Sequence, residues 1–208
     1  MRTPLKAAAA AALVLLLGSP LPAVLAPGAK LVPFALMDVD GRDTAVALED
    51  GRLTVTVAGA AGGEAGAIKL RPAGVLIDFW ATWCVPCRKS MPHMQRLHED
   101  FGPAGRPEGG LLVLGIALDD AGGKVVRPFV QKLKLTYPML ADPPAGPVAA
   151  GAAATAKDMK RRYGVQEVPV VYLFDAAGTV VHAHVGATDE QAAALDRAVA
   201  ALLEGAAR

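Results

Sequence analysis

The chain has 208 residues, of which 53 % are apolar and 20 % charged, and its formal net charge is +1. That length accommodates one domain and an appendage. The balanced charge, with no basic run longer than Lys160–Arg162, argues against a nucleic-acid binder, which carries a basic stripe.

Arg2 and Lys6 precede an apolar run, Ala7–Leu17, of signal-peptide length, and the small residues of Val24–Ala26 follow a Pro/Gly-rich exit. Residues 1–26 are expected to be a signal peptide or an N-terminal membrane anchor, and residues 27–208 the folded domain. Pro27 directly after the cleavage point disfavours the cut, which leaves anchoring through residues 7–26 open. Pro20 and Pro22 make that stretch a weak span for a bilayer that takes about 20 apolar residues. Export places the protein where disulfides persist. The expected location is therefore periplasmic or otherwise extracytoplasmic, secreted or anchored to the inner membrane.

In chain order, "LVPFALMDVDGRD" has short apolar alternation and a glycine turn, which predicts an edge strand and hairpin. "RLTVTVAG" (Arg52–Gly59) alternates strictly and predicts a strand. Residues 58–67 read as a flexible low-complexity loop, and "GVLIDFWA" as a buried central strand. Met91, Met94, Leu97 and Phe101 recur at helical spacing after the cysteines, with Pro92 inside that helix and Gly102-Pro103 ending it. "LLVLGIAL" (Leu111–Leu118) is a second buried strand, and Val126, Phe129, Val130 and Leu133 mark an amphipathic helix. Residues 143–156 form a Pro/Gly/Ala insertion longer than most connections. A short helix, "KDMKRRYG", leads to two strands around Asp175-Ala-Ala-Gly178. Thr188 and Gln191 cap a last helix with Leu195, Val199 and Leu202 inward. This order predicts an α/β domain: a mixed central β-sheet flanked by helices, with an N-terminal β extension.

Cys84 and Cys87 are the chain's only cysteines. A structural disulfide contributes most when it closes a long loop, and this pair closes a very short one. Where a strand ends and a helix begins, the helix dipole and free backbone N–H groups stabilise a thiolate. Cys84 is expected to be the exposed, acidified nucleophile, and Cys87, one turn on and deeper, the thiol that resolves a mixed disulfide. Pro86 in the first turn loses nothing by lacking an N–H. A zinc site needs about four ligands, and only His93 and His98 lie close in sequence, so no metal is expected. His182 and His184 read as surface residues, and Met91 and Met94 as core.

"VLIDFWATWCVPC", with "VPVVYLFDAAGTVV" downstream, resembles the thioredoxin superfamily. "FWATWCVPCRKSMP" is most similar to its exported TlpA/ResA-type thiol–disulfide oxidoreductases, over roughly Pro33 to Leu203. The resemblance implies a thioredoxin fold with no cofactor beyond a redox-active Cys84–Cys87 disulfide. It implies protein disulfide clients such as apocytochrome c or copper-centre assembly proteins, and electrons from a transmembrane dithiol carrier. Pro169 matches the family's cis-proline beside the dithiol, where the Val168 backbone would pair with an extended substrate segment. Trp83 would shield the dithiol and offer contact area to a client, while Trp80 packs inside. Asp78 matches the buried carboxylate of thioredoxin, where many TlpA-like relatives carry asparagine. Burial would raise its pKa and suit it to take the proton of Cys87. Asp119 or Asp120 stands where ResA-like proteins carry an acid near the site, and the sequence does not say which faces inward.

The reading is a thiol–disulfide oxidoreductase, a reductase before an oxidase or isomerase. Direction turns on about 30 mV per 1.4 kcal/mol of relative thiolate and disulfide stability. A non-catalytic copper-delivery module is the alternative of another class. Copper chaperones of the Sco type carry CxxxC rather than CxxC, and peroxiredoxins a Thr/Ser-xx-Cys that is absent here.

Overall fold

A computed structural model describes residues 24–58, 66–103, 107–142 and 155–207. The expected leader up to residue 23, residues 59–65 of the first loop and 143–154 of the second lie outside the described residues. The fold contains two sheets. The N-terminal one is antiparallel, with β1 (Phe34–Met37), β2 (Asp43–Glu49), β3 (Arg52–Val57) and β4 (Ile68–Leu70) side by side in chain order. Val46 and Val55 oppose each other across β2 and β3, and both are fully buried. The turn between β1 and β2 is built on Asp38, whose carboxylate accepts the N–H groups of Asp40 and Arg42 at 2.9 and 2.8 Å. Side chains that mimic a backbone turn in this way make aspartate a turn former.

The second sheet carries the expected order. Its elements are β5 (Gly74–Trp80), α1 (Val85–Phe101), β6 (Leu111–Ala117), α2 (Gly123–Leu133), β7 (Met139–Leu140), α3 (Ala156–Arg162), β8 (Val170–Asp175), β9 (Val180–Val185) and α4 (Asp189–Ala206). The strands lie in the order β7-β6-β5-β8-β9. β5, β6 and β7 are mutually parallel through their crossovers, and β8 and β9 return antiparallel. Every residue of β5 and β6 is buried, as the continuous apolar runs require of central strands. The expected second insertion ends earlier than residue 156. Thr155 caps α3, accepting the Asp158 N–H in a capping box, and Ala156 is the first helical residue. The Thr188/Gln191 capping box on α4 is present as read.

Alternation along β5 sorts the molecule into two apolar cores. Val75, Ile77 and Phe79 face one core, shared with the N-terminal sheet, α3 and the aromatic group Tyr163, Tyr172 and Phe174. Leu76 and Trp80 face the other, shared with the buried sides of α1, α2 and α4. Both cysteines belong to this second core. Asp78, between Leu76 and Trp80 on the strand, points into it as well. Among the described residues no helix is long and apolar enough to cross a membrane.

Candidate active site

β5 ends at Trp80, and the chain turns through Ala81–Cys84 into α1. Cys84 occupies the N-cap position with extended backbone, and its Sγ accepts the Cys87 N–H at 3.1 Å. A sulfur thus takes the place that a serine or aspartate oxygen takes at other helix starts. Val85 and Pro86 fill the first turn, where the proline's missing N–H would be orphaned anyway. Cys84 and Cys87 are joined in a disulfide, with S–S 2.01 Å and Cα–Cα 5.3 Å.

One expectation is corrected here. Cys84 is not exposed: it keeps only 3 % of its surface, against 0 % for Cys87. The cover comes from a loop distant in sequence, for the Val168 carbonyl lies 3.6 Å from the Cys84 Sγ. In the disulfide this sulfur has no proton to donate, so the approach is a contact. Val168–Pro169 is a cis peptide, with Pro169 buried and Val168 half-buried. The exposed surface at the site belongs instead to Trp83, at 68 %, Val85 and Pro86. Trp80 is fully buried against Phe129, so the two tryptophans divide as the sequence suggested.

The two adjacent aspartates are now told apart. Asp119 is buried and accepts both the Thr82 N–H, at 3.0 Å, and the Thr82 hydroxyl, at 2.5 Å. It braces the turn that leads into Cys84. Asp120 points outward and pairs with Lys157 at 2.9 Å. Asp119 is a residue whose contribution the sequence left open, and the signal was there only as one of two equal candidates.

On β5, two residues before the strand ends, Asp78 is completely buried, and neither carboxyl oxygen has a hydrogen-bond partner. Burial pushes its pKa up to about 7, because a low-polarity surround penalises the anion. Tyr137, which the sequence did not single out, is buried in the same core, and burial together with the Asp78 charge raises its hydroxyl well above its ordinary value. Further along α1, the buried His93 meets Asp196 of α4 with Nε2···Oδ1 2.6 Å. His182 and His184 touch at 3.0 Å and are half-buried rather than surface residues. No group of three or more His, Cys, Asp or Glu side chains among the described residues is arranged to hold a metal ion.

The topology and the paired cysteines at a helix start define a thioredoxin-like protein. Residues 53–183, more than half of the chain, match the AhpC/TSA family, and the protein belongs to it. It is 32 % identical over 114 residues to "Thioredoxin-like protein YneN" of Bacillus subtilis, covering 54 % of this chain and 56 % of that one. It is 28 % identical over 123 residues to "Thiol-disulfide oxidoreductase ResA" of Halalkalibacterium halodurans, covering 59 % and 60 % respectively. The match therefore spans little more than half the length of these curated relatives. Among solved structures, the fold is shared with a putative thiol:disulfide interchange protein DsbE from Chlorobium tepidum, at TM-score 0.58 and 24 % identity. That alignment covers 86 % of this chain and 99 % of that one.

Proposed function

We propose that the protein is a thiol–disulfide oxidoreductase that reduces disulfides of exported client proteins through Cys84 and Cys87. The observation that carries this reading is the Cys84–Cys87 disulfide at the start of α1, with the Val168–Pro169 loop laid against the outer sulfur. In the reduced protein, the Cys84 thiolate accepts the Cys87 N–H from its N-cap position and is favoured by the helix dipole. It attacks a client disulfide, forms a mixed disulfide and releases one client thiolate. Cys87 then gives its proton to the Asp78 carboxylate and attacks the Cys84 sulfur. This closes the internal disulfide and releases the second client thiolate, so two electrons pass to the client. A pKa near 7 equips Asp78 to accept that proton at neutral pH and to surrender it afterwards.

Trp83, Val85 and Pro86 offer apolar contact area around the sulfur, and the Val168 backbone offers hydrogen-bonding groups to an extended client segment. The dithiol needs no other cofactor for this exchange. An external dithiol, in our reading a membrane-borne donor, returns it to the reduced state. The charged leader start and apolar run support an extracytoplasmic setting, with residues 1–26 as leader or anchor and 27–208 as the working domain. Clients of the apocytochrome c or copper-centre assembly kind fit the similarity to ResA-named proteins.

The test is to trap the client. Cys87→Ser in cells should leave a mixed disulfide on Cys84, released by reductant and identified by mass spectrometry, and Cys84→Ser should abolish insulin-disulfide reduction by the purified protein. Insulin reduction that survives Cys84→Ser refutes the assignment.

A further inference from the structure

β9 carries two imidazoles where its neighbour carries apolar side chains. His182 and His184 lie opposite Leu173 and Val171 of β8, both buried in the core that holds the cysteines. Residues two apart on a strand share a face, so both rings stand on that side, on the outermost strand of the sheet. The ladder skips Val181, a β-bulge directly before His182, and bulges re-aim the side chains beside them. The outcome is a contact between ring nitrogens: His182 Nε2 and His184 Nδ1 are 3.0 Å apart, with ring centroids at 5.2 Å. Both residues are half-buried, and His184 lines a cleft of about 280 Å³ with Ser90 and His93 of α1 and Thr188 at the start of α4.

That separation has a meaning in coordination chemistry. An imidazole nitrogen binds a first-row divalent metal at about 2.0–2.1 Å. Two such nitrogens stand about 3.3–3.4 Å apart at a tetrahedral angle and about 2.8–3.0 Å apart at a right angle. The observed 3.0 Å fits the right angle, the geometry of tetragonal copper(II) and nickel(II) rather than of zinc(II). We propose that His182 and His184 form a two-nitrogen site for one such ion, copper(II) ahead of nickel(II) and zinc(II), with water from the cleft filling the remaining positions. Copper(II) leads because it forms the tightest complexes of the series with nitrogen ligands. Without an ion the two rings share one proton in a hydrogen bond. When the ion takes its place, that proton moves to the other nitrogen of its ring, so binding releases none. Burial lowers the pKa of both rings, which are therefore neutral at pH 7 and hold no further proton to compete. His93 is not a third ligand, because its Nε2 is held by Asp196 at 2.6 Å. Lys89 and Arg96 line the same cleft, and their charges, with only two protein ligands, make the site weaker than closed structural metal sites.

The test uses the oxidised full chain, in which the Cys84–Cys87 disulfide leaves no thiolate to bind metal. Copper(II) chloride is titrated in the presence of glycine as competitor and followed by calorimetry and electron paramagnetic resonance. The native protein should take up one copper(II) per chain, with an axial spectrum split by two imidazole nitrogens. His182→Ala and His184→Ala should each weaken binding by about tenfold or more, since even an outer-shell partner is worth that much. His93→Gln should change the affinity by less than about twofold, and zinc(II) should bind the native protein about tenfold more weakly than copper(II). A native spectrum without two imidazole nitrogens overturns the inference, however the variants fold. Copper binding that survives both alanine substitutions overturns it as well, and zinc(II) binding as tight as copper(II) refutes the tetragonal geometry.

Discussion

Replacing Asp78 by asparagine keeps the shape and removes the charge, which turns an electrostatic argument into a stability measurement. The carboxyl titrates near 7 in the folded protein and at its ordinary 3.8 when unfolded. Between those values the folded state holds one proton more than the unfolded chain, so stability falls as pH rises through this window and levels off above it. A shift of about three units corresponds to about 4 kcal/mol over the full range, and from pH 5 to pH 8.5 about 3 kcal/mol should be lost. Other groups titrate in the same interval. His184, lowered to about 4 by burial and by the neighbouring His182 and His93, pushes the other way, since its unfolded form binds the extra proton below about 6.5. The informative quantity is therefore the stability of the native protein minus that of Asp78→Asn, in which the histidines cancel. Urea unfolding of the oxidised proteins at pH 5, 6, 7 and 8.5 should show this difference falling by about 3 kcal/mol. Parallel curves for the two proteins would sink the argument that Asp78 is protonated in the fold at low pH.

Two further substitutions probe how the site is held. Gly115→Ala places a methyl against Met139 Sδ and Trp80 Nε1. Met139 can move aside and the packed indole cannot, so thermal unfolding should report a loss of about 1–3 kcal/mol. An unchanged melting temperature would show that the core has room there. Asp119→Ala removes the acceptor of both Thr82 bonds. A loss of about 2–3 kcal/mol is expected in urea unfolding. A loss below about 0.5 kcal/mol would mean that the turn into Cys84 holds without its brace.

What could be read in advance divides along physical lines. β5 and β6 were legible because a strand buried on both faces reads as an apolar run, and "GVLIDFW" and "LLVLGIA" do so with Asp78 as the one interruption. The caps of α4 were legible because a capping box is a local pattern of four residues. β4 and β7, three and two residues long, were not, since no periodicity can be expressed in so few positions. Nor could the split into two sheets be read, because it depends on which strand edges meet. The site shows the same boundary. The position of Cys84 at a helix start follows from its neighbours, whereas its burial depends on Val168, 84 residues away. Asp119 and Asp120 differ only in which one the strand end turns inward. Nothing local to Tyr137 marks it out, and its burial in the core that holds both cysteines follows only from the packing of distant elements.

The separation of the two cores has a consequence for how this protein can vary. The buried residues of strands β1–β4 lie in the core on the side of the central sheet that the cysteines do not occupy, while Val39 of the β1–β2 turn reaches the other. Changes in that layer can raise or lower the melting point while leaving the sulfur chemistry untouched. Evolution is free to lengthen or rebuild it, for instance between β3 and β4, as one refits a hull without opening the engine room.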